Sequence, residues 1–222
     1  MDIREALKYR FEQNANEENA VAMKAYMKDR FDLYGIKTPV RKSLYKDLMA
    51  ETKKWSYLEI ESMLVWCWDQ DQREYQYFGL DLLHRHQKKL PAESLEILKF
   101  LISSKSWWDT VDLLASNPLG IICRKYESAS GEMDNWIKSD DMWLRRSAII
   151  YQLKSKDKVD EERLFRYCDL CKHESEFFIR KAIGWALRQH SRVAPEKILT
   201  YVAKNEDSLS GLSKREALRL IK

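Results

Sequence analysis

Trp143-Leu144-Arg145-Arg146-Ser147-Ala148-Ile149 and Phe178-Ile179-Arg180-Lys181-Ala182-Ile183-Gly184-Trp185 run an aromatic, a basic couplet and a small-apolar stretch in the same order. They lie about 35 residues apart, near the interval at which helix-pair repeats recur. Around them the composition favours helix. Six glycines and four prolines in 222 residues leave few tight turns for hairpins, while Leu, Ala, Lys, Glu and Arg abound. The chain therefore reads as all-α, built from degenerate stacked helix pairs. Such pairs wind into a superhelix whose concave face cradles an elongated ligand. No stretch rich in Gly, Pro or Ser divides the sequence, so one domain over residues 1–222 is expected.

A hydrophobic content of 45% with 33% charged residues fits a folded protein and argues against general disorder. The net charge of +4 is modest, but residues 143–192 carry twelve Lys or Arg against seven Asp or Glu. That local excess suits a phosphate-contacting surface. The first residues lack the apolar core of a secretory signal, and no apolar run approaches the roughly 20 residues a membrane span needs. A cytoplasmic protein without membrane contact is expected. Of the four cysteines only Cys168 and Cys171 are close, and with His173 they form an incomplete zinc set. Reduced thiols in a helix are the expectation, with no metal and no cofactor.

Periodicity predicts a succession of helices, over 2–13, 19–28, 40–49, 57–69, 72–86, 91–103, from Ser106 onward, 133–138, 141–153, 160–171, 174–190, 195–204 and 213–221. Thr38 before Pro39, Ser56 and Ser106 are the expected N-caps.

The chemistry-bearing stretch is Ser106-Trp107-Trp108-Asp109-Thr110-Val111-Asp112. At 3.6 residues per turn, Trp108 and Asp112 share one helical face, and Trp107, Val111 and Leu114 share its neighbour. An indole beside a carboxylate is costly in a core but can embrace a cation on an exposed face. Asp109 competes for the acidic role, although it lies about 100° from Trp108 around the helix. Trp185 has Lys181 four residues before it and Arg188 three after, an aromatic between cations that suits a phosphate-and-sugar surface. Arg145 and Arg146 diverge, so at most one need face a phosphate-bearing ligand. Trp55, Trp66, Trp68, Trp136 and Trp143 are expected in packing.

These blocks, with Ala25-Tyr26-Met27-Lys28, Gly35-Ile36-Lys37-Thr38-Pro39, Phe177 through Arg188 and Leu212-Ser213-Lys214-Arg215-Glu216-Ala217, resemble the AlkD-type DNA alkylation repair family in order and over nearly the whole chain. The resemblance implies a HEAT-like α-superhelix with a concave basic DNA-binding face. It further implies a DNA glycosylase that removes cationic N3- and N7-alkylated purines from duplex DNA. By the same resemblance Trp108, Asp112 and Trp185 surround the scissile nucleotide, with Arg146 contacting DNA nearby. Tyr26, Arg145, Lys181 and Arg188 correspond to backbone contacts.

The residue types suit that chemistry. Alkylation makes the purine a cationic leaving group, so what remains is an oxocarbenium-like sugar that a carboxylate such as Asp112 can stabilise. One such electrostatic group is worth roughly 3–4 kcal/mol, against about 0.5–2 kcal/mol for each indole face. No lysine stands out as a Schiff-base nucleophile, so excision without strand cleavage is expected. The resemblance implies approach to the deoxyribose from outside, without extruding the base, by a monomer on DNA. The rival reading is a non-catalytic helical-repeat module that recognises DNA shape or a protein. A metal-dependent nuclease would need clustered acids or histidines, and the sequence has no such cluster.

Overall fold

A computed structural model describes residues 2–221. Among them there are helices and no strands, beyond one isolated bridge between Asp32 and Gln72. None of these helices is long and apolar enough to cross a membrane. The chain gathers into two compact units, residues 1–86 and 87–222.

The N-terminal unit contains α1 (Ile3–Gln13), α2 (Glu17–Tyr26), α3 (Thr38–Leu44), α4 (Lys46–Glu51), α5 (Tyr57–Asp69) and α6 (Arg73–His86). Its core is an aromatic cluster in which Phe11 packs on Tyr34, Tyr45 and Tyr75, and Tyr45 lies edge-on to Phe78. The loop between α2 and α3 is held from beneath by Glu74. This fully buried carboxylate accepts the N–H groups of Tyr34, Gly35 and Ile36 at 3.0–3.1 Å. Three such bonds compensate the desolvation of a charge that would otherwise be prohibitive.

One cap differs from the sequence expectation here. Ser56 caps α5 in a reciprocal box with Glu59, as expected, but Lys37 rather than Thr38 takes the cap of α3. Thr38 is already helical and Pro39 follows inside the first turn, where its missing N–H costs nothing. The expected helix over 40–49 divides at Tyr45, whose backbone leaves the helical region before α4 begins.

The C-terminal unit contains α7 (Ser94–Ser103), α8 (Trp108–Leu114), α9 (Gly120–Lys125), α10 (Glu127–Trp136), α11 (Met142–Ile150), α12 (Glu161–Cys171), α13 (Phe177–His190), α14 (Pro195–Lys204) and α15 (Gly211–Leu218). Two of these exceed the sequence expectation. Pro118 does not end the helical path after α8, because a widened π turn over Ala115–Leu119 absorbs its missing N–H and leads into α9. Helix α10 begins six residues earlier than expected, since burial of Ala129, Met133 and Trp136 overrides the weak propensity of Ser-Ala-Ser-Gly.

Trp68 and Trp136 are buried, while Trp55, Trp66 and Trp143 are half-buried. Cys168 and Cys171 are reduced and buried on α12, and burial pushes both thiols up, Cys171 to about 12. His173 is exposed beyond the helix end.

Within this unit α8 packs on α11, α11 on α13, and α13 on α15. The last of these packings is the tightest, and Gly184 makes it possible. A Cβ there would lie 2.5 Å from Cβ of Glu216 and 2.9 Å from the Ser213 carbonyl oxygen. The Ser213 hydroxyl donates back to the Arg180 carbonyl at 2.9 Å, fastening the two helices beside that approach. Gly184→Ala is expected to destabilise the fold by about 1–3 kcal/mol through overpacking. Gly131→Ala, in α10 with no atom within 4 Å of the added methyl, should instead stabilise by about 0.4–1 kcal/mol. Urea unfolding of the two variants checks the pair, and equal effects would remove Gly184 from its packing role.

Candidate functional site

The path into α8 decides where its two tryptophans go. Trp107 is extended (φ −158°, ψ 161°) at the helix cap, and Trp108 is the first helical residue. Ser106 does not cap the helix as expected. Its hydroxyl turns back to the Ile102 carbonyl at 2.6 Å, in the last turn of α7, where carbonyls lack an intrahelical donor. The change of backbone direction sends the two indoles apart. Trp107 is buried against Phe178 and Trp143, with ring centroids 5.0 and 5.8 Å away, and Trp143 meets Phe178 at 4.9 Å. Trp108 faces a cleft of about 370 Å³ along the packed series α8, α11, α13 and α15.

Asp112, one turn after Trp108, lines the same cleft. Its carboxylate is gripped in a fork by Arg146 of α11, Nε to Oδ1 and Nη2 to Oδ2, both at 2.8 Å. The remaining Nη1 donates to the Phe178 carbonyl of α13, and the guanidinium lies 5.7 Å from the Phe178 ring centre. Arg146 is buried while the Asp112 side chain keeps 17% of its surface exposed toward the cleft. Each carboxylate oxygen retains a lone pair beyond the one given to arginine. The backbone around it is also fixed: the Ser116 hydroxyl donates to the Asp112 carbonyl at 2.7 Å, at the start of the π turn.

The opposite end of the cleft belongs to α13 and α15. Lys181, Trp185 and Arg188 line it, and Glu216 of α15 accepts from Lys181 Nζ at 2.8 Å and from Arg188 Nη1. The Lys181 ammonium is the main cause that holds the Glu216 carboxyl below the usual carboxylate range. Phe178 and the exposed Phe177 complete the wall. Three cations against two carboxylates make this cleft nearly balanced in charge, and both acids are paired.

The structure thus brings Trp108, Asp112, Arg146, Lys181, Trp185 and Arg188 to one cleft. Arg145 turns elsewhere, forking onto Glu174 at 3.0 and 2.7 Å and donating to the Ser139 carbonyl. Asp109 is half-buried in the first turn of α8 and does not line the cleft. Tyr26 ends α2 in the N-terminal unit, with 68% of its surface exposed. Phe177, Phe178 and Glu216 are cleft residues that sequence reasoning did not single out. The signal for Glu216 was present: it falls 35 residues after Lys181, one repeat interval beyond it.

The family described as DNA alkylation repair enzyme matches residues 7–221. The chain belongs to that family. Membership implies a DNA alkylation repair function, with an enzyme acting on DNA. The fold is similar to that of a solved Enterococcus faecalis protein named as a predicted DNA alkylation repair enzyme. The two are 30% identical with a TM-score of 0.83, over 93% of this chain and 96% of that one. It is also similar in fold to smu.31 from Streptococcus mutans UA159, at 19% identity and a TM-score of 0.63, over 83% of this chain and 96% of that one. No curated protein matches the sequence.

For this member of the DNA alkylation repair enzyme family, the Arg146 fork sets a stability test. Arg146→Ala strands the Asp112 carboxylate and the Phe178 carbonyl, and is expected to cost about 2–4 kcal/mol. Asp112→Asn keeps one carbonyl acceptor for the guanidinium and should cost less, about 1 kcal/mol. A double-mutant cycle in urea should return a coupling of about 1–3 kcal/mol, and additive effects would mean the pair contributes nothing of its own.

Proposed function

We propose that this protein is an AlkD-type monofunctional glycosylase that excises cationic N3- and N7-alkylated purines from duplex DNA. In this reading it works as a cytoplasmic monomer, its helices stacked into a HEAT-like superhelix around the duplex. The observation that carries the reading is a carboxylate held in a two-pronged guanidinium grip, lining the same cleft as two indoles.

The alkylated purine departs with the C1′–N electron pair, which cancels its own formal charge, so no residue need protonate it. Positive charge then develops on the deoxyribose. Asp112 faces that charge and Arg146 lies behind it. The pair is neutral overall, yet distance keeps it attractive. At an effective dielectric of about 20, a unit positive charge about 4 Å from the carboxylate and about 8 Å from the guanidinium still gains roughly 2 kcal/mol. Because the fork holds the carboxylate in place, little of that gain is spent on reorganisation. Water adds to C1′, and its proton passes to the free lone pair of Asp112. Trp108 and Trp185 supply cation-attracting faces and keep bulk water from the sugar. Charge and lability of the lesion, rather than a base-shaped pocket, set selectivity, so the base need not leave the stack. Arg146, expected to contact DNA, is proposed instead to act by holding Asp112, since its guanidinium is buried and bonded to Asp112 and the Phe178 carbonyl, while Lys181 and Arg188 meet backbone phosphates. Tyr26 and Arg145 are proposed as further backbone contacts, and Arg145 must release Glu174 to make one.

One observation favours a second reading, a non-catalytic helical-repeat module for DNA shape or protein: both oxygens of Asp112 are bonded to Arg146, as in a purely architectural ion pair. Free-base release from duplex DNA carrying N7-methylguanine, measured in chelator, separates the two. The wild type is expected to release the base, and Asp112→Asn to lose about 10²–10³-fold in rate while still binding DNA. Uracil and hypoxanthine should stay in place. DNA binding with no base release from the wild type would leave only the module.

A further inference from the structure

The four charged residues Asp112, Arg146, Lys181 and Glu216 stand 34, 35 and 35 residues apart, and all four line the cleft. They come from the successively packed helices α8, α11, α13 and α15. The order along the column is acid, base, base, acid, and each acid is bonded to the base beside it. Glu216 is therefore the counterpart of Asp112 at the far end, but its grip differs. Asp112 is clasped by one rigid, buried guanidinium. Glu216 spans two separate cations, Lys181 and Arg188, which sit seven residues apart on one face of α13, about 10 Å along the helix.

Relative exposure tells which groups meet an incoming ligand. The Lys181 and Arg188 side chains are 38% and 22% exposed, and the Glu216 side chain 15%. The cations stand in front and the acid sits behind them. Its place is built in, since only the absent side chain of Gly184 lets the Glu216 Cβ come so close to α13. An acid so placed holds two like charges together, and it also cancels one of them.

We propose that Glu216 is an affinity-setting residue, an anionic brake that limits how tightly Lys181 and Arg188 grip a DNA backbone phosphate. The inference rests on the DNA-binding part of the reading above. In the free protein Glu216 occupies the inner side of the two cations. When a phosphate arrives at their outer side, it meets a site of net charge +1 rather than +2. Grip on undamaged backbone is thereby weakened, which lets the protein leave sites that carry no lesion.

The experiment is equilibrium binding of an undamaged duplex across a salt series, for the wild type and for Glu216→Gln, Glu216→Asp and Lys181→Gln. Glu216→Gln removes the charge at nearly constant shape. It is expected to bind about threefold to tenfold more tightly at low salt, as for unit charges about 6 Å apart in a well-solvated cleft mouth. The slope of log K against log salt should steepen by about 1. Glu216→Asp keeps the charge and should retain the wild-type slope, which separates charge from packing. Lys181→Gln should flatten the slope. Unchanged or weaker binding by a folded Glu216→Gln overturns the brake and leaves Glu216 a support for α13. If Glu216→Gln does not fold, a wild-type slope in Glu216→Asp alongside a flattened one in Lys181→Gln upholds the proposal, and a changed slope in Glu216→Asp overturns it. A wild type with no salt-dependent duplex binding overturns the DNA-binding reading itself, a result distinct from an indifferent Glu216→Gln.

Discussion

The buried guanidinium of Arg146 ties three helices at one point. It is rooted in α11, forks onto the Asp112 carboxylate of α8 and donates its remaining nitrogen to the Phe178 carbonyl of α13. A guanidinium has five donors in a rigid plane and no acceptor, so removing it from water is costly unless its directions are filled. Here carboxylate, carbonyl and an aromatic face fill them together. That requirement fixes the mutual setting of α8, α11 and α13, and with it the position of the cleft. Lysine could not replace it, because an ammonium cannot fork onto one carboxylate and reach a carbonyl in the same plane.

Beneath this node lies the cluster of Trp107, Trp143 and Phe178, which supplies the apolar burial that a polar tie alone cannot. The adjacent pair Trp107-Trp108 divides its work accordingly, one indole to the cluster and one to the cleft. At the other end, the α13–α15 approach uses absence rather than attraction: a missing Cβ at Gly184 lets Glu216 reach two cations. Each end of the cleft thus couples packing to charge placement. Rigid packing and a nearly balanced charge are compatible with a site that holds its acids still without gripping every phosphate strongly.

Much of this was legible in the chain itself. The helical class follows from composition, and spacing at 3.6 residues per turn puts Trp108 with Asp112 on one face and Lys181, Trp185 and Arg188 on another; that Trp108, Asp112 and Trp185 surround one site was implied only by the family resemblance. Errors fell where local signals compete with tertiary ones. Ser106 is a good capping residue, yet the open carbonyl of Ile102 claims its hydroxyl. Ser-Ala-Ser-Gly looks like a loop, yet Trp136 and Met133 bury it as helix.

Sequence alone determined the interval of about 35 residues between the two aromatic-and-basic stretches, and the helical faces that decide which residues of one segment share a side, because these are read along the chain itself. Only tertiary structure decided the partners. Arg145 and Arg146 are chemically identical neighbours about 100° apart on α11, and nothing local says that one seeks Glu174 and the other Asp112. Ion pairing across about 34 residues depends on how helices pack, and packing is settled by shape over the whole unit. A missing methyl group at residue 184 is part of that shape, and no reading of charge along the chain contains it.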